Sequence, residues 1–345
     1  MADESHLKAL KRHVHPRAEW LASRTEEALD PNLLIVDAHH HLFDIPGNRY
    51  LFDDFLSDLR SGHKVEATVH VQCRSMYRVD GPEEMKALGE TEFVNGVAAQ
   101  SASGLYGQAK VCAGIVGAID VLKGSAVERV LDAHIRAAPD RFRGIRPMTA
   151  WHESSEIRAL DIPPDVLMQA PAREAINAIY KRGLSLDIWV FFTQLDQVQK
   201  LCEVFPELPV VVNHCGGPLG IGPYEQIQEA AFGQWSKAIK GVAKFSNVHM
   251  KVGGLGMHYT GSDFHRRVSP PSSDDLAERW SPFVETCIDA FGPGRCMFES
   301  NFPVDKGTCS YQVLWNAFKK ISRRYDDGER RRLFSETAMQ FYRLH

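Results

Sequence analysis

Short runs of β-branched and other apolar residues recur along the chain, most of them followed by a stretch whose apolar positions return every three or four residues. In order they are LLIVDAH (33–39), VEATVHVQ (65–72), VCAGIVGAI (111–119) and FRGIRPM (142–148), then LSLDIWVFF (184–192), LPVVVNH (208–214), NVHMKVGG (247–254) and RCMFESN (295–301). Most are apolar at successive rather than alternate positions, the mark of parallel strands covered on both faces. Between the third and fourth lies GSAVERVLDAHIRAAPDRF. There Val127, Val130, Leu131 and Ile135 fall at helical spacing, and Ser125 with Glu128 predicts a capping box. PAREAINAIYKRG (171–183) and LDQVQKLCEVFPEL (195–208) repeat the helical pattern. Eight strand–helix units over roughly 300 residues predict a (β/α)8 TIM barrel. The competing architecture, an open doubly wound sheet, would be supported by a GxGxxG turn after the first strand, and the sequence has none there.

The remaining stretches are longer than simple connectors. Residues 42–62, 73–110, 149–170 and 255–275 follow strands, so they are expected above the C-terminal mouth of the barrel, where loops carry function. SPPSSDD (269–275) reads as a turn leading into a helix that begins near Leu276. Residues 1–30 are expected to form an N-terminal helical extension, one amphipathic helix packed outside the barrel or serving as an oligomer contact. Residues 31–345 form the barrel domain.

Composition narrows the picture. Apolar residues are 44% and charged residues 24% of the 345, enough for a sizeable core. The net charge of −4 and the absence of a Lys/Arg run argue against a nucleic-acid or anionic-membrane surface. Seven cysteines are scattered, odd in number and never spaced as CxxC, which fits reduced thiols in a cytoplasm better than a disulfide framework. The N-terminus lacks the apolar centre of a signal peptide, and no apolar run approaches the ~20 residues of a membrane helix. The expected partner is therefore a small-molecule substrate.

The candidate chemistry is imidazole. The first strand ends in DAHHH, and side chains alternate along a strand. His39 and His41 thus point one way and His40 the other, to pack beneath the helices. An inward HxH at the barrel mouth is placed to grip one metal or one substrate oxygen. His214 ends the sixth strand and reaches the same mouth. Arg146 ends the fourth strand, sharing a face with Gly144 and Phe142, and is placed to fork onto a carboxylate; Arg74, after the second strand, reaches the same region. Trp151, His152 and His258 are further candidates to line the pocket. Trp189 is expected to pack within its strand.

Together IVDAHHHL, FRGIRP, LSLDIWV, VVVNHCGGP, NVHMKVGGL and CMFESNFPVDK resemble, in order, the amidohydrolase-related barrel hydrolases. They are most similar to the lactonase-like group that includes 2-pyrone-4,6-dicarboxylate lactonase and sugar lactonases. The resemblance implies a distorted barrel that opens a cyclic ester, with His39, His41 and His214 polarising the carbonyl directly or through a divalent metal. It also implies an aspartate at the end of the eighth strand to activate water. This sequence departs there: the family's GSDWP is ESNFP, so Asn301 stands at the aspartate position, and an amide is no base for water. Glu299, on the same face and ~7 Å deeper, and Asp305 just beyond the strand are the candidate replacements.

The expected enzyme is accordingly a lactone hydrolase that requires no cofactor. A metal-dependent decarboxylase, hydratase or amide hydrolase, with one zinc or manganese on His39, His41 and His214, is the first alternative. A non-catalytic ligand-binding descendant is the second.

Overall fold

The computed structural model describes residues 13–45, 48–158 and 161–344. Eight parallel strands lie side by side in chain order: β1 (Leu34–His40), β2 (Lys64–Val71), β3 (Lys110–Gly117), β4 (Phe142–Ile145), β5 (Ser185–Ile188), β6 (Val210–Val212), β7 (Val248–Val252) and β8 (Cys296–Phe298). Beyond the ends of β8 and β1 the chain closes the ring, Asn301 N donating to His39 O at 2.9 Å and His41 N to Phe302 O at 2.7 Å. The crossover helices are α1 (Phe52–Leu59), α2 (Leu88–Ala102), α3 (Glu128–Ala137), α4 (Ala170–Lys181), α5 (Leu195–Val204), α6 (Gln228–Val242), α7 (Ser273–Phe291) and α8 (Tyr311–Ile321). This is the expected (β/α)8 barrel. No helix among the described residues is long and apolar enough to cross a membrane.

Two apolar layers hold it. The strands' outer faces and the helices share one large core, with Ile35, Ile115, Ile145, Leu186, Val210 and Val252 among its fully buried members. Inside the barrel, Val36, Ala38, Val69, Val71, Val116, Val211 and Met297 pack against Phe341, Tyr342 and Leu344. The C-terminal segment thereby plugs the barrel opposite its mouth.

Several local expectations give way to tertiary contacts. Strand β1 does not keep one phase to its end: Val36 and Ala38 face inward, yet the register with β2 breaks between Asp37 and His40. This irregularity brings His39 to the inner face as well, while His40 turns outward to stack on Phe55 at 4.1 Å and to meet Thr68 Oγ1 at 2.9 Å. Phe142 stacks on His134 of α3, so it does not share Arg146's face. The Ser125–Glu128 capping box does not form; α3 is entered through Val127, and Ser125 N donates instead to Glu174 Oε2 at 3.3 Å. Helix α7 begins at Ser273, three residues before Leu276, because Ser272 caps it with Asp275 as the reciprocal partner.

Two stretches expected as loops contain α1 and α2. In α2 the buried residues include Glu90 and Thr91 beside Val94 and Val97, which hides its apolar period. Of the N-terminal extension, residues 1–12 lie outside the described residues. From His13 on there is only one short helix, Ala18–Ala22, in an otherwise irregular strap. The strap is pinned by Arg17 to His265 O at 2.6 Å, Trp20 to Arg267 O at 3.1 Å and Arg24 to Pro270 O at 2.7 Å.

Candidate active site

At the mouth of the barrel the three strand-end imidazoles meet. The His39 and His41 ring centroids are 4.8 Å apart and those of His39 and His214 are 4.6 Å apart. His39 is fully enclosed; His41 and His214 form part of the wall of a cavity of about 120 Å³. Arg146, Arg74 and Asn301 line the same cavity, and aromatic walls come from Phe43, Trp189, Phe191 and Tyr259. A larger adjoining hollow of about 520 Å³ shares Gln72, Arg74, Arg146 and Met148 with it.

Their partners fix the tautomers of two of the rings. His41 Nδ1 lies 2.8 Å from the Val71 carbonyl, which only accepts, so this nitrogen carries the proton. His214 Nδ1 donates to Glu299 Oε1 at 2.7 Å. Arg146 Nη1, a donor only, stands 3.2 Å from His39 Nε2. His39 has a donor on each side, since Lys251 Nζ stands 3.4 Å from its Nδ1, and Glu299 Oε2, 2.9 Å from the same Nδ1, makes no hydrogen bond with it, so its contacts fix no single tautomer. His41 and His214 thus hold Nδ1–H inward and present Nε2 lone pairs. Burial, followed by the charges of Lys251, His214 and His41, holds the His39 imidazole well below its ordinary pKa, and burial followed by Arg146 does the same for His41. Burial also lowers His214, against the pull of Glu299. Neutral rings are the form in which imidazole binds metals or accepts protons.

Neutral His41 and His214, with Nδ1–H committed, have no proton at Nε2 to offer a developing oxyanion. The Nε2 atoms of His39 and His41 are 3.3 Å apart, close to the ~3.3 Å edge expected of a tetrahedral ion with Zn–N bonds of about 2.0–2.1 Å. Nδ1–H tied to a carbonyl and a carboxylate is the usual outer support of metal-binding imidazoles. On the other side of the trio His39, His214 and Glu299 also bring ligand atoms within 4.8 Å of one another. There, however, the His214 N–H already occupies one carboxylate oxygen and Lys251 Nζ lies 3.4 Å from His39 Nδ1. The Nε2 side is the better fit for an ion.

Other predicted residues fall in different places. Glu299 is fully buried and accepts from His214 N at 3.1 Å as well as from the ring. Asp305 is also buried, its oxygens accepting from Asn301 Nδ2 at 2.8 Å and Gly256 N at 2.9 Å. Neither lines the cavity, and among the described residues no Asp or Glu does. Trp151, His152 and His258 stand outside the lining as well. Trp151 N donates to Gln194 Oε1 at 2.8 Å, His152 Nε2 meets Tyr224 OH at 3.0 Å, and the His258 ring lies against Tyr259. Trp189, expected only to pack, stands edge-on to His214 at 4.7 Å and lines the cavity.

Sequence reasoning missed Lys251 and Asp187, a dry ion pair at 2.8 Å beneath the trio, with Tyr342 OH and Asn213 Nδ2 donating to Asp187. Removing one partner of such a pair costs about 3–5 kcal/mol. The signal was there: a charge in the middle of an otherwise apolar strand. His13 of the N-terminal strap also reaches the cavity wall.

Comparison with known proteins gives the following. The amidohydrolase family model matches residues 36–344. The uncharacterized protein y4mH of Sinorhizobium fredii is 32% identical over 335 residues, which is 91% of this chain and 99% of that protein. The L-fucono-1,5-lactonase of Burkholderia ambifaria is 24% identical over 324 residues, 90% of this chain and 95% of the lactonase. Among solved structures, an amidohydrolase from Burkholderia multivorans with bound zinc superposes with a TM-score of 0.68 at 24% identity, covering 90% of this chain and 100% of that one. This last likeness is one of fold.

Proposed function

The chain belongs to the amidohydrolase family, and from that premise we propose that it is a hydrolase opening a lactone or related cyclic ester of a small, carboxylated molecule. The observation that carries the reading is the gathering of three neutral imidazoles, two of them with Nδ1–H tied back, at a cavity that Arg146 and Arg74 also line. His214 is the proton acceptor in this reading. Its Nδ1–H is held by Glu299, an arrangement that orients a ring and stabilises the imidazolium formed when Nε2 takes a proton. Glu299 is then a positioning residue rather than the base, and Asp305 holds Asn301 in the cavity wall.

The step balances without a carboxylate in the cavity. Water attacks the ester carbon as His214 Nε2 takes its proton. The ring C–O bond then breaks, and the proton passes from His214 to the departing alkoxide. Arg146 and Arg74 hold the acidic arm of the substrate by charge-assisted hydrogen bonds, and the aromatic walls flank its ring. Zinc is named in the related Burkholderia structure, and here His39 and His41 would hold such an ion through Nε2. When bound, it would supply a Lewis acid for the carbonyl and a more acidic water.

The test is a screen of carboxylated and sugar lactones with a pH indicator, before and after chelation and zinc restoration. We expect acid release that chelation diminishes and zinc restores. His214→Ala should keep zinc while losing turnover about 10²–10⁴-fold, the range for a general base; loss of zinc from that variant would make His214 a ligand instead. Saturable binding without any turnover would sink the hydrolase reading in favour of a binding protein, and release of CO₂ would point to decarboxylation.

A further inference from the structure

A second set of metal-type ligands lies apart from the imidazole trio, where the end of β2 meets the first turn of α2. His70, Cys73 and Glu90 each bring one ligand atom to within 4.8 Å of the others. Cys73 Sγ stands 3.2 Å from Glu90 Oε1, and Ser75 Oγ is 3.4 Å from the same sulfur. Glu90 Oε1 also accepts from the backbone of Cys73 at 2.8 Å and Ser75 at 3.3 Å, which fixes the carboxylate over the turn.

The independent observation is His70. Its side chain is only 1% exposed, yet neither ring nitrogen has a hydrogen-bond partner. Its ring neighbour His40, 5.7 Å away and edge-on, spends its own Nε2 on Thr68. A buried imidazole with both nitrogens idle forfeits the free energy of its hydrogen bonds to water. One of those nitrogens is the atom that faces Cys73 and Glu90.

We propose that His70, Cys73 and Glu90 form a binding site for a borderline-soft divalent cation of the zinc class. Thiolate, imidazole and carboxylate are the ligand types zinc selects, and its bonds of about 2.0–2.3 Å place neighbouring ligand atoms roughly 3.3–3.7 Å apart. The sulfur and the carboxylate, 3.2 Å apart, need to open by a few tenths of an ångström, and the imidazole needs to move by about an ångström at most. A thiolate and a carboxylate together neutralise a dication, so the filled site carries no net charge in a dry place. Binding releases the Cys73 thiol proton to solvent. Cys73 also lines the catalytic cavity, which gives the ion an entry path. Such an ion would tie β2 to α2 beside the substrate wall.

Cobalt distinguishes this site from the trio, because only Cys73 offers a thiolate. Chelator-treated protein titrated with Co²⁺ should develop a thiolate-to-cobalt charge-transfer band in the near ultraviolet, saturating at one equivalent per chain once the trio is dismantled. The band should persist in His39→Ala/His41→Ala, where the trio is dismantled, and vanish in Cys73→Ala. Wild-type protein that binds cobalt without this band, or binds none, overturns the proposal, as does a band that survives in Cys73→Ala. Should Cys73→Ala not fold, anomalous scattering at the zinc edge from wild-type crystals decides. A peak bounded by His70, Cys73 and Glu90 supports the site, and a peak confined to the trio refutes it. None of these outcomes depends on whether lactones are hydrolysed.

Discussion

At the scale of single residues, the site turns on which nitrogen of each imidazole carries the proton. Glu299 sets that for His214, whose Nδ1–H it holds, while its other oxygen faces His39 Nδ1. Glu299→Gln keeps the size but removes the charge that stabilises the His214 imidazolium. We expect kcat to fall about 10²–10⁴-fold with KM little changed, as for loss of a general base's support. Steady-state kinetics on the lactone identified by the screen checks this, and a kcat within about twofold of wild type would remove Glu299 from the machinery. The inward placement of Glu299 was legible from strand alternation. Its role was not, because the rings that its oxygens face lie 85 and 260 positions away in the chain.

At the scale of elements, strand ends and their turns decide where the imidazoles sit. Gly254, just after β7, has φ +65°, and a Cβ there would lie 2.6–2.7 Å from the His214 side chain. Gly292, at the C-terminus of α7, has φ +76° and open space around it. Alanine at either position takes a positive-φ conformation that glycine alone adopts freely, at a cost of about 1–3 kcal/mol, but only Gly254→Ala also collides with the catalytic ring. We expect Gly254→Ala to lose most of its activity and the more stability of the two, and Gly292→Ala to lose stability while retaining its activity. Parallel measurement of Tm and kcat/KM separates the two effects; equal activities would mean that His214 does not need its present position. The turn glycines were visible in the sequence. That one of them makes room for an imidazole 40 residues earlier was not.

At the scale of the whole molecule, the barrel encloses acids that water would otherwise solvate. Burial pushes the Asp305 carboxyl up to about 8, against the hydrogen bonds from Gly256 and Asn301. An unfolded chain releases that proton near pH 4. Between about pH 4 and 8 the folded state holds a proton that the unfolded state has lost, so this group makes stability fall as pH rises through that window and level off above it. Asp305→Asn preserves both bonds if the Asn301 amide turns over, and it carries no titrating group. Its Tm should therefore decline less than that of wild type from pH 5 to 8; identical slopes would show that Asp305 is ionised in the folded protein throughout.

What the chain determined locally, it determined well. Parallel strands buried on both faces announce themselves as unbroken apolar runs, and the two-residue period of a strand placed His39 and His41 together, with His40 turned away to Phe55. Burial and backbone geometry at that range depend on neighbours a few residues apart. What remained for the tertiary structure was everything set by long-range contact. This includes the register break that lets Ala38 and His39 share the barrel interior, the Lys251–Asp187 pair beneath the trio, and the commitment of Glu299 to His214. A hydrogen-bond role belongs to a pair of groups, and when the barrel brings the second member from 85, 107 or 212 positions away, no local pattern records it.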